Sequence, residues 1–373
     1  MSDTTPAATA SPRHEPALDG IRAIAATLVL LFHARIPGFA NGGIGVDVFF
    51  TLSGFLITGI LLSSVRRIGG VDYRVFYLRR ALRLFPAYVA VVVAAVLADV
   101  VIDSGGTLKG ALFSAFYVAN WAVGGLGVGL GALGHTWSLS IEEQFYIGWP
   151  IVLVFLTRVA RGRRDLLAIL ISMLVMASYL LAAILLAGGV SASLVYNATP
   201  TRAVELLAGA LLAVLIEGRR QRYASLSRSA MGWVSILLLV LVGSWGSLSL
   251  ETDILLVWPV VALLTCGTIT AVHRTAGSLH RVLASKGFVE VGKRSYGLYL
   301  WHFPIFTTID AEAGLDTWPP RLLAMALTAV IVPLSYRYIE QPFLALKDRT
   351  GTGRASQLGE GTTVPEMSAR TAT

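Results

Sequence analysis

Several ionisable residues of this sequence fall inside apolar stretches, where a charge is costly and so marks candidate chemistry. Arg22 and His33 stand eleven residues apart in LDGIRAIAATLVLLFH. On a helix they share one face and lie about 16 Å apart along the axis. An anion held at Arg22 and a proton accepted at His33 would suit a long substrate threading a bundle. The plainer alternative is that Arg22 snorkels to the interface and His33 bonds a backbone carbonyl. In HTWSLSIEEQFY, the residues His135, Glu142 and Tyr146 line one helical face, with Ser138 beside them and Glu143 next to Glu142. Two adjacent carboxylates in an apolar run are hard to explain as packing, although a proton channel would use them as readily as an enzyme. His302, in SYGLYLWHFPI, lies seven residues above Ser295 on the same face, where a satisfied core histidine is the alternative. Arg79, Arg80 and Arg83 in YLRRALRLFP open another apolar block, where guanidinium groups grip phosphates or simply anchor the helix. Glu340, in YRYIEQPF, could pair with one of these arginines or be solvated. Asp47 sits near the end of its block, and Ser53 and Gly54 suit close helix packing.

The elements that must position these groups are membrane helices. Of 373 residues, 55% are hydrophobic and 14% charged, against about a quarter charged in soluble domains, which excludes a single soluble domain. The apolar residues fall into blocks long enough to cross a bilayer. Ten spans are expected, at 18–36, 43–63, 77–102, 136–157, 166–188, 199–217, 230–248, 254–272, 294–310 and 319–338. The run 109–122 is too short to cross easily and reads as a re-entrant or interfacial helix. Charge placement agrees. Ten crossings put Arg66, Arg67 and Arg74, the cluster Arg158 to Arg164, the cluster Arg219 to Arg228, then Arg274, Arg281 and Lys286, and finally Lys347 and Arg349 on one side. By the positive-inside rule that side is cytoplasmic, with both termini. Arg35, Lys109, Arg202 and Arg321 are the basic exceptions, near helix ends. The expected fold is an all-α polytopic membrane bundle of about ten transmembrane helices plus the short helix.

Residues 18–346 then form one membrane domain, between disordered cytoplasmic segments at 1–17 and 347–373. No signal peptide is apparent. The lone cysteine, Cys266, excludes an internal disulfide and a CxxC metal or redox motif, and no metal site is expected. HExxH, GxSxG and GxxxxGK[ST] patterns do not occur, against a zincin, an α/β-hydrolase and a P-loop nucleotidase. The excess of 30 Lys and Arg over 22 Asp and Glu lies in the short loops, so nucleic-acid binding has little support. His14, His273 and His280 look exposed or loop-borne and take no role.

Six ordered motifs, LDGIRAIA with His33, GVDVFFTLSGFLIT, YLRRALRLFP, HTWSLSIEEQFY, SYGLYLWHFPI and YIEQPF, spread from residue 18 to 343, resemble the acyltransferase 3 family of integral-membrane acyltransferases. The resemblance implies transfer of an acetyl or other short acyl group from acyl-CoA to a hydroxyl of a glycan, glycolipid or natural product such as a macrolide. Acyl-CoA, acetyl-CoA in the first instance, would be the donor substrate, with no permanently bound cofactor. The family's Arg-x10-His pattern falls on Arg22 and His33, its arginine cluster on Arg79, Arg80 and Arg83, and its WSLxxEEQF stretch on Trp137 to Phe145. His33 would be the general base, with Glu142, or else Glu143, orienting it or placing the acceptor. His302 would donate to the oxyanion or the acceptor, and Arg22, Arg79, Arg80 and Arg83 would hold the phosphate end of CoA. A covalent acyl-enzyme on Ser53 or Ser138 stays open, since the sequence gives neither a neighbouring base. Some members carry a further hydrolase-like extracytoplasmic domain, for which this chain is expected to lack room. A multi-span proton-coupled transporter is the alternative, and a membrane scaffold that tolerates loss of His33 and Glu142 is a third class.

Overall fold

The computed structural model describes residues 14–102, 106–216, 226–246 and 248–347. It is a bundle of helices in which each expected span finds its counterpart. α1 (Pro16–His33) opens with proline in its first turn, where a missing N–H costs nothing. The chain turns sharply at Arg35, whose φ is 51°, so His33 closes the helix and does not lie within a longer 18–36 span. α2 (Gly45–Ile68) ends on Gly69 in the left-handed conformation. α3 (Tyr73–Ile102) follows. The run 109–122 divides at Tyr117, φ 52°, into α4 (Thr107–Ala115) and α5 (Ala119–Leu126), neither long enough to cross. Gln144 ties this pair down by donating to Tyr117 O at 2.7 Å and Asn120 Oδ1 at 2.9 Å.

The rest of the bundle is built from α6 (Thr136–Ala160), α7 (Arg164–Ala187), the short α8 (Ala192–Asn197), α9 (Thr199–Ile216) and α10 (Leu226–Ser244). One turn, α11 (Leu250–Thr252), runs through a π turn at Asp253–Val257 into α12 (Trp258–Val272). Two short helices, α13 (Ser278–Leu283) and α14 (Lys286–Lys293), lead to α15 (Ser295–Ala313) and α16 (Trp318–Ser335), which continues through a second π turn at Tyr336–Glu340. Among the described residues, eight helices are long and apolar enough to cross a membrane. The two other expected spans are helices that fall short. The apolar part of α10, Arg228–Ser244, is shorter, and α15 carries His302, Asp310 and Glu312 among its apolar residues. The protein is therefore an all-α, multi-pass membrane bundle. The expected tails lie largely outside the described residues, at 1–13 and 348–373, as do Arg219, Arg220, Arg222 and Arg349.

α2 and α9 cross so closely that two glycines at the crossing have no room for a side chain. A Cβ on Gly54 would stand 1.8 Å from Leu206 O, and one on Gly209 would stand 1.9 Å from Thr51 O. Two glycines facing opposite backbones replace side-chain packing with main-chain contact, as small residues do between membrane helices. A buried ion cluster pins the same crossing. Arg202 on α9 is fully buried and donates to Asp47 Oδ1 on α2 at 2.5 Å, with Glu205 Oε1 3.5 Å from its other terminal nitrogen. The guanidinium lies over the rings of Trp258 at 4.2 Å and Tyr196 at 4.6 Å, with Phe50 and Trp137 farther out. Sequence reading left Asp47 and Arg202 as isolated charges near helix ends and did not single out Glu205. An acidic residue one turn beyond a buried arginine was the available signal.

Removing the guanidinium would strand two carboxyls in the apolar core. Arg202→Ala is expected to destabilise the protein by about 3–5 kcal/mol, read as a lowered melting temperature in detergent. Gly209→Val should cost about 1–3 kcal/mol in the same assay through steric overlap with Thr51. A wild-type melting temperature for either variant would contradict the crossing described.

Candidate active site

The polar residues of the bundle collect in two layers that α1 and α6 both span. One layer is made of imidazoles. His33, at the end of α1, meets His302 on α15, with 3.2 Å between His33 Nδ1 and His302 Nε2. His302 Nδ1 lies 3.0 Å from Leu298 O, and His33 Nδ1 lies 3.0 Å from Val29 O. A carbonyl oxygen only accepts, so His302 carries its proton on Nδ1 and, when neutral, leaves a lone pair on Nε2. That lone pair accepts from His33 Nδ1–H, which Val29 O shares. His33 Nε2 is left as the unprotonated nitrogen. These tautomers are assigned from the bonding pattern. His302 is 1% exposed, whereas His33 is half-buried and keeps an accessible edge.

α15 is held in register with its neighbours by two tyrosines. Tyr299 Oη donates to His135 O at 3.0 Å and lies 2.5 Å from Ser138 Oγ, tying α15 to the start of α6. Tyr296 Oη donates to Leu84 O at 2.9 Å, tying α15 to α3. His135, one residue before α6, joins the imidazole layer with ring centroids 6.0 Å from His302 and 5.0 Å from Phe303.

The second layer lies two helical turns away along α6, about 10 Å by helix rise. Glu142 Oε1 accepts from Ser53 Oγ at 2.6 Å and from Tyr146 Oη at 3.1 Å. Glu143 accepts from Arg80 at 3.4 Å, and the Arg80 guanidinium stacks on the Tyr146 ring. Arg22 bonds Asp19 Oδ1 at 2.6 Å, while the other oxygen of Asp19 meets His14 at 2.6 Å. Arg83 is accessible, and Arg22, Arg80, Tyr146 and Asp19 lie within electrostatic reach of it. Glu340, on the π turn after α16, is buried and faces the same guanidinium. The room it occupies depends on Gly297, where a Cβ would stand 2.7 Å from Glu340 Oε1.

The structure thus joins residues far apart in sequence and separates some that spacing had grouped. Arg22 and His33 share α1 as expected. His33 does bond a backbone carbonyl, but in addition to His302 and not in place of a side-chain partner. Glu142 is expected to orient His33 or place the acceptor; the side chains it meets are Ser53 and Tyr146, because seven residues of helix carry it away from the imidazoles. Glu143 is likewise engaged by Arg80. His302 was expected to donate to an oxyanion or acceptor, but both its nitrogens are committed, one to Leu298 and one to His33. Of the four arginines, Arg22 and Arg80 are paired with carboxylates, while Arg79 and Arg83 are exposed and make no ion pair among the described residues. Arg79 is not drawn into the bonds of the layer. Ser53 does have a carboxylate neighbour, which sequence could not reveal because it comes from another helix. His14 and His273, assigned no role, pair with Asp19 and Glu15. Among the described residues no group of three or more His, Cys, Asp or Glu is arranged to hold a metal ion.

Residues 15–338 match the acyltransferase domain family. The chain is 34% identical over 354 residues to the peptidoglycan O-acetyltransferase OatA of Listeria monocytogenes, an alignment covering 89% of this chain and 56% of the relative. It is 34% identical over 357 residues to the putative peptidoglycan O-acetyltransferase YrhL of Bacillus subtilis, covering 88% and 55%. A putative O-acetyltransferase of Staphylococcus aureus is 30% identical over 353 residues, covering 89% and 57%. The chain spans little more than half the length of these relatives. No solved structure matches it. With a family match across nearly all the described helices and relatives aligned over most of its length, the chain belongs to the acyltransferase 3 family of membrane acyltransferases.

Proposed function

We propose that the protein transfers an acetyl or other short acyl group from acyl-CoA to a sugar hydroxyl of the cell envelope. The relatives named for peptidoglycan O-acetylation favour a cell-wall glycan as acceptor over a macrolide or other natural product. The observation that carries the reading is the bare Nε2 of His33, about 16 Å along α1 from Arg22. A thioester is already activated, so the protein's task is to take the proton from the attacking hydroxyl and steady the charge that forms on the carbonyl oxygen. His33 Nε2 takes that proton. The positive charge then spreads over a ring whose Nδ1–H is already engaged by His302 and Val29. As the C–S bond breaks, the same nitrogen returns the proton to the departing thiolate.

The donor's phosphates belong in the arginine layer. Arg79 and Arg83, which make no ion pair among the described residues, would make the direct contacts, while Arg22 and Arg80 add positive charge from their ion pairs. The pantetheine arm would rise past Glu142, Ser53 and Tyr146 toward the imidazoles. This reading sets the arginine layer and both termini on the cytoplasmic side, where the basic loops lie, and has the acceptor approach His33 from the opposite side.

The full chain in lipid nanodiscs, supplied with labelled acetyl-CoA and a soluble peptidoglycan fragment, tests the proposal by formation of a labelled ester without an ion gradient. A transporter would consume no donor under these conditions. His33→Ala is expected to lower kcat about 10²–10⁴-fold while leaving insertion intact, and normal transfer by that variant would remove His33 from the reaction. Arg79→Ala with Arg83→Ala should raise the donor KM with little change in kcat. An unchanged donor dependence would contradict the phosphate assignment.

A further inference from the structure

His135 is the one imidazole of the layer that makes no hydrogen bond of normal geometry at either ring nitrogen; the backbone of Leu300 engages it only loosely. It is 2% exposed, so water cannot freely satisfy it, and a buried donor left poorly paired is costly. Its position is nonetheless firmly set. Its carbonyl accepts from Tyr299 Oη at 3.0 Å and from Ser138 Oγ at 3.2 Å, and its ring lies 5.5 Å from that of Tyr299. Phe303 forms a shared wall with His33, its ring 5.0 Å from His135 and 5.1 Å from His33. The next residue begins α6, a helix of 25 residues whose N-terminus has no side-chain cap. The amides of that first turn and the helix dipole favour negative charge at this spot.

We infer that His135 is a second catalytic residue of the acyl transfer, donating its ring N–H to the acyl carbonyl oxygen as that oxygen becomes negative. The inference rests on the transfer reaction proposed above and divides the labour among three imidazoles. His302 is a positioning residue, since both of its nitrogens are spent on fixing the tautomer of His33. His33 Nε2 handles the proton. His135, whose N–H is only loosely engaged by the Leu300 backbone at rest, supplies a hydrogen bond that tightens when charge develops. As the hydroxyl oxygen bonds to the carbonyl carbon, the C=O π electrons move to the oxygen facing His135 and the hydroxyl proton moves to His33 Nε2. When the carbonyl re-forms, the C–S bond breaks and the sulfur takes that proton. A donor loosely engaged in the ground state and fully engaged in the transition state acts on kcat, not on substrate affinity.

The test compares wild type, His135→Phe and His135→Gln as full chains in nanodiscs, with acetyl-CoA and a soluble peptidoglycan fragment. Phenylalanine keeps a ring but has no donor, whereas glutamine keeps an N–H. His135→Phe should lose about 10²–10³ in kcat, with both KM values within about threefold of wild type. His135→Gln should recover kcat to within about tenfold of wild type. Both variants should keep the wild-type pH–rate profile, because His33 and His302 are untouched. Wild-type kcat in His135→Phe, a loss confined to KM, or a glutamine variant no better than phenylalanine would overturn the role while leaving the transferase reading in place. Absence of ester formation by the wild-type chain would instead overturn that reading and this role with it.

Discussion

The hydrogen bond between His302 Nε2 and His33 Nδ1 is the constraint on which the chemistry of this bundle depends. A neutral imidazole has one donor and one acceptor nitrogen, and which is which decides whether it can act as a base at a given point. Leu298 O fixes the proton of His302, His302 fixes that of His33, and the lone pair of His33 is directed to the remaining nitrogen. Among the described residues no carboxylate contacts His33 in this arrangement. The orienting group is a second imidazole buried in the next helix, so the base is set by neutral dipoles in a site of low polarity. Anything that moves α15 relative to α1 disturbs that setting, which gives physical meaning to the tyrosines holding α15 against α3 and α6.

The remaining polar groups follow from the cost of burying them among membrane helices. Several occur in groups that satisfy one another. Asp19 serves both Arg22 and His14, Glu143 serves Arg80, and Glu142 takes two hydroxyls. The Asp47, Arg202 and Glu205 cluster, enclosed by aromatic rings, lies at the crossing where glycines bring the α2 and α9 backbones into contact. Close crossing and buried ion cluster support each other. The glycines bring the helices near enough for Arg202 to reach Asp47, and the ion pair resists their separation. Ser53, next to Gly54 on α2, is thereby held where it meets Glu142 of α6.

Much of this was legible in the sequence because it is local. Each of the ten hydropathy blocks falls on a helix, eight of which among the described residues are long and apolar enough to cross a membrane, and the break at Tyr117 agrees with reading 109–122 as too short to cross. Arg22 and His33 could be placed on one face because both belong to one helix. α15 was recognised although its histidine and carboxylates weaken its apolar signal. What could not be read were contacts between helices. Seven residues of common face suggested that Glu142 works with the imidazoles, but the side chains it meets come from α2 and from its own next turn. The same limit hid the partner of Arg202, the carboxylate beside Ser53 and the fact that His302 spends both nitrogens on structure. Periodicity reports which way a side chain leaves its own helix, not which neighbour waits there.

Nitrogen-15 NMR of ring-labelled histidine in the lipid-embedded chain reads the protonation pattern of the imidazole pair directly. Neutral His33 is expected to carry its proton on Nδ1, with Nε2 bare and an Nδ1–H coupled across the hydrogen bond to Nε2 of His302. Substituting His302 by phenylalanine should abolish that coupling. A His33 ring protonated on Nε2, or one whose signals do not change when His302 is removed, would contradict it.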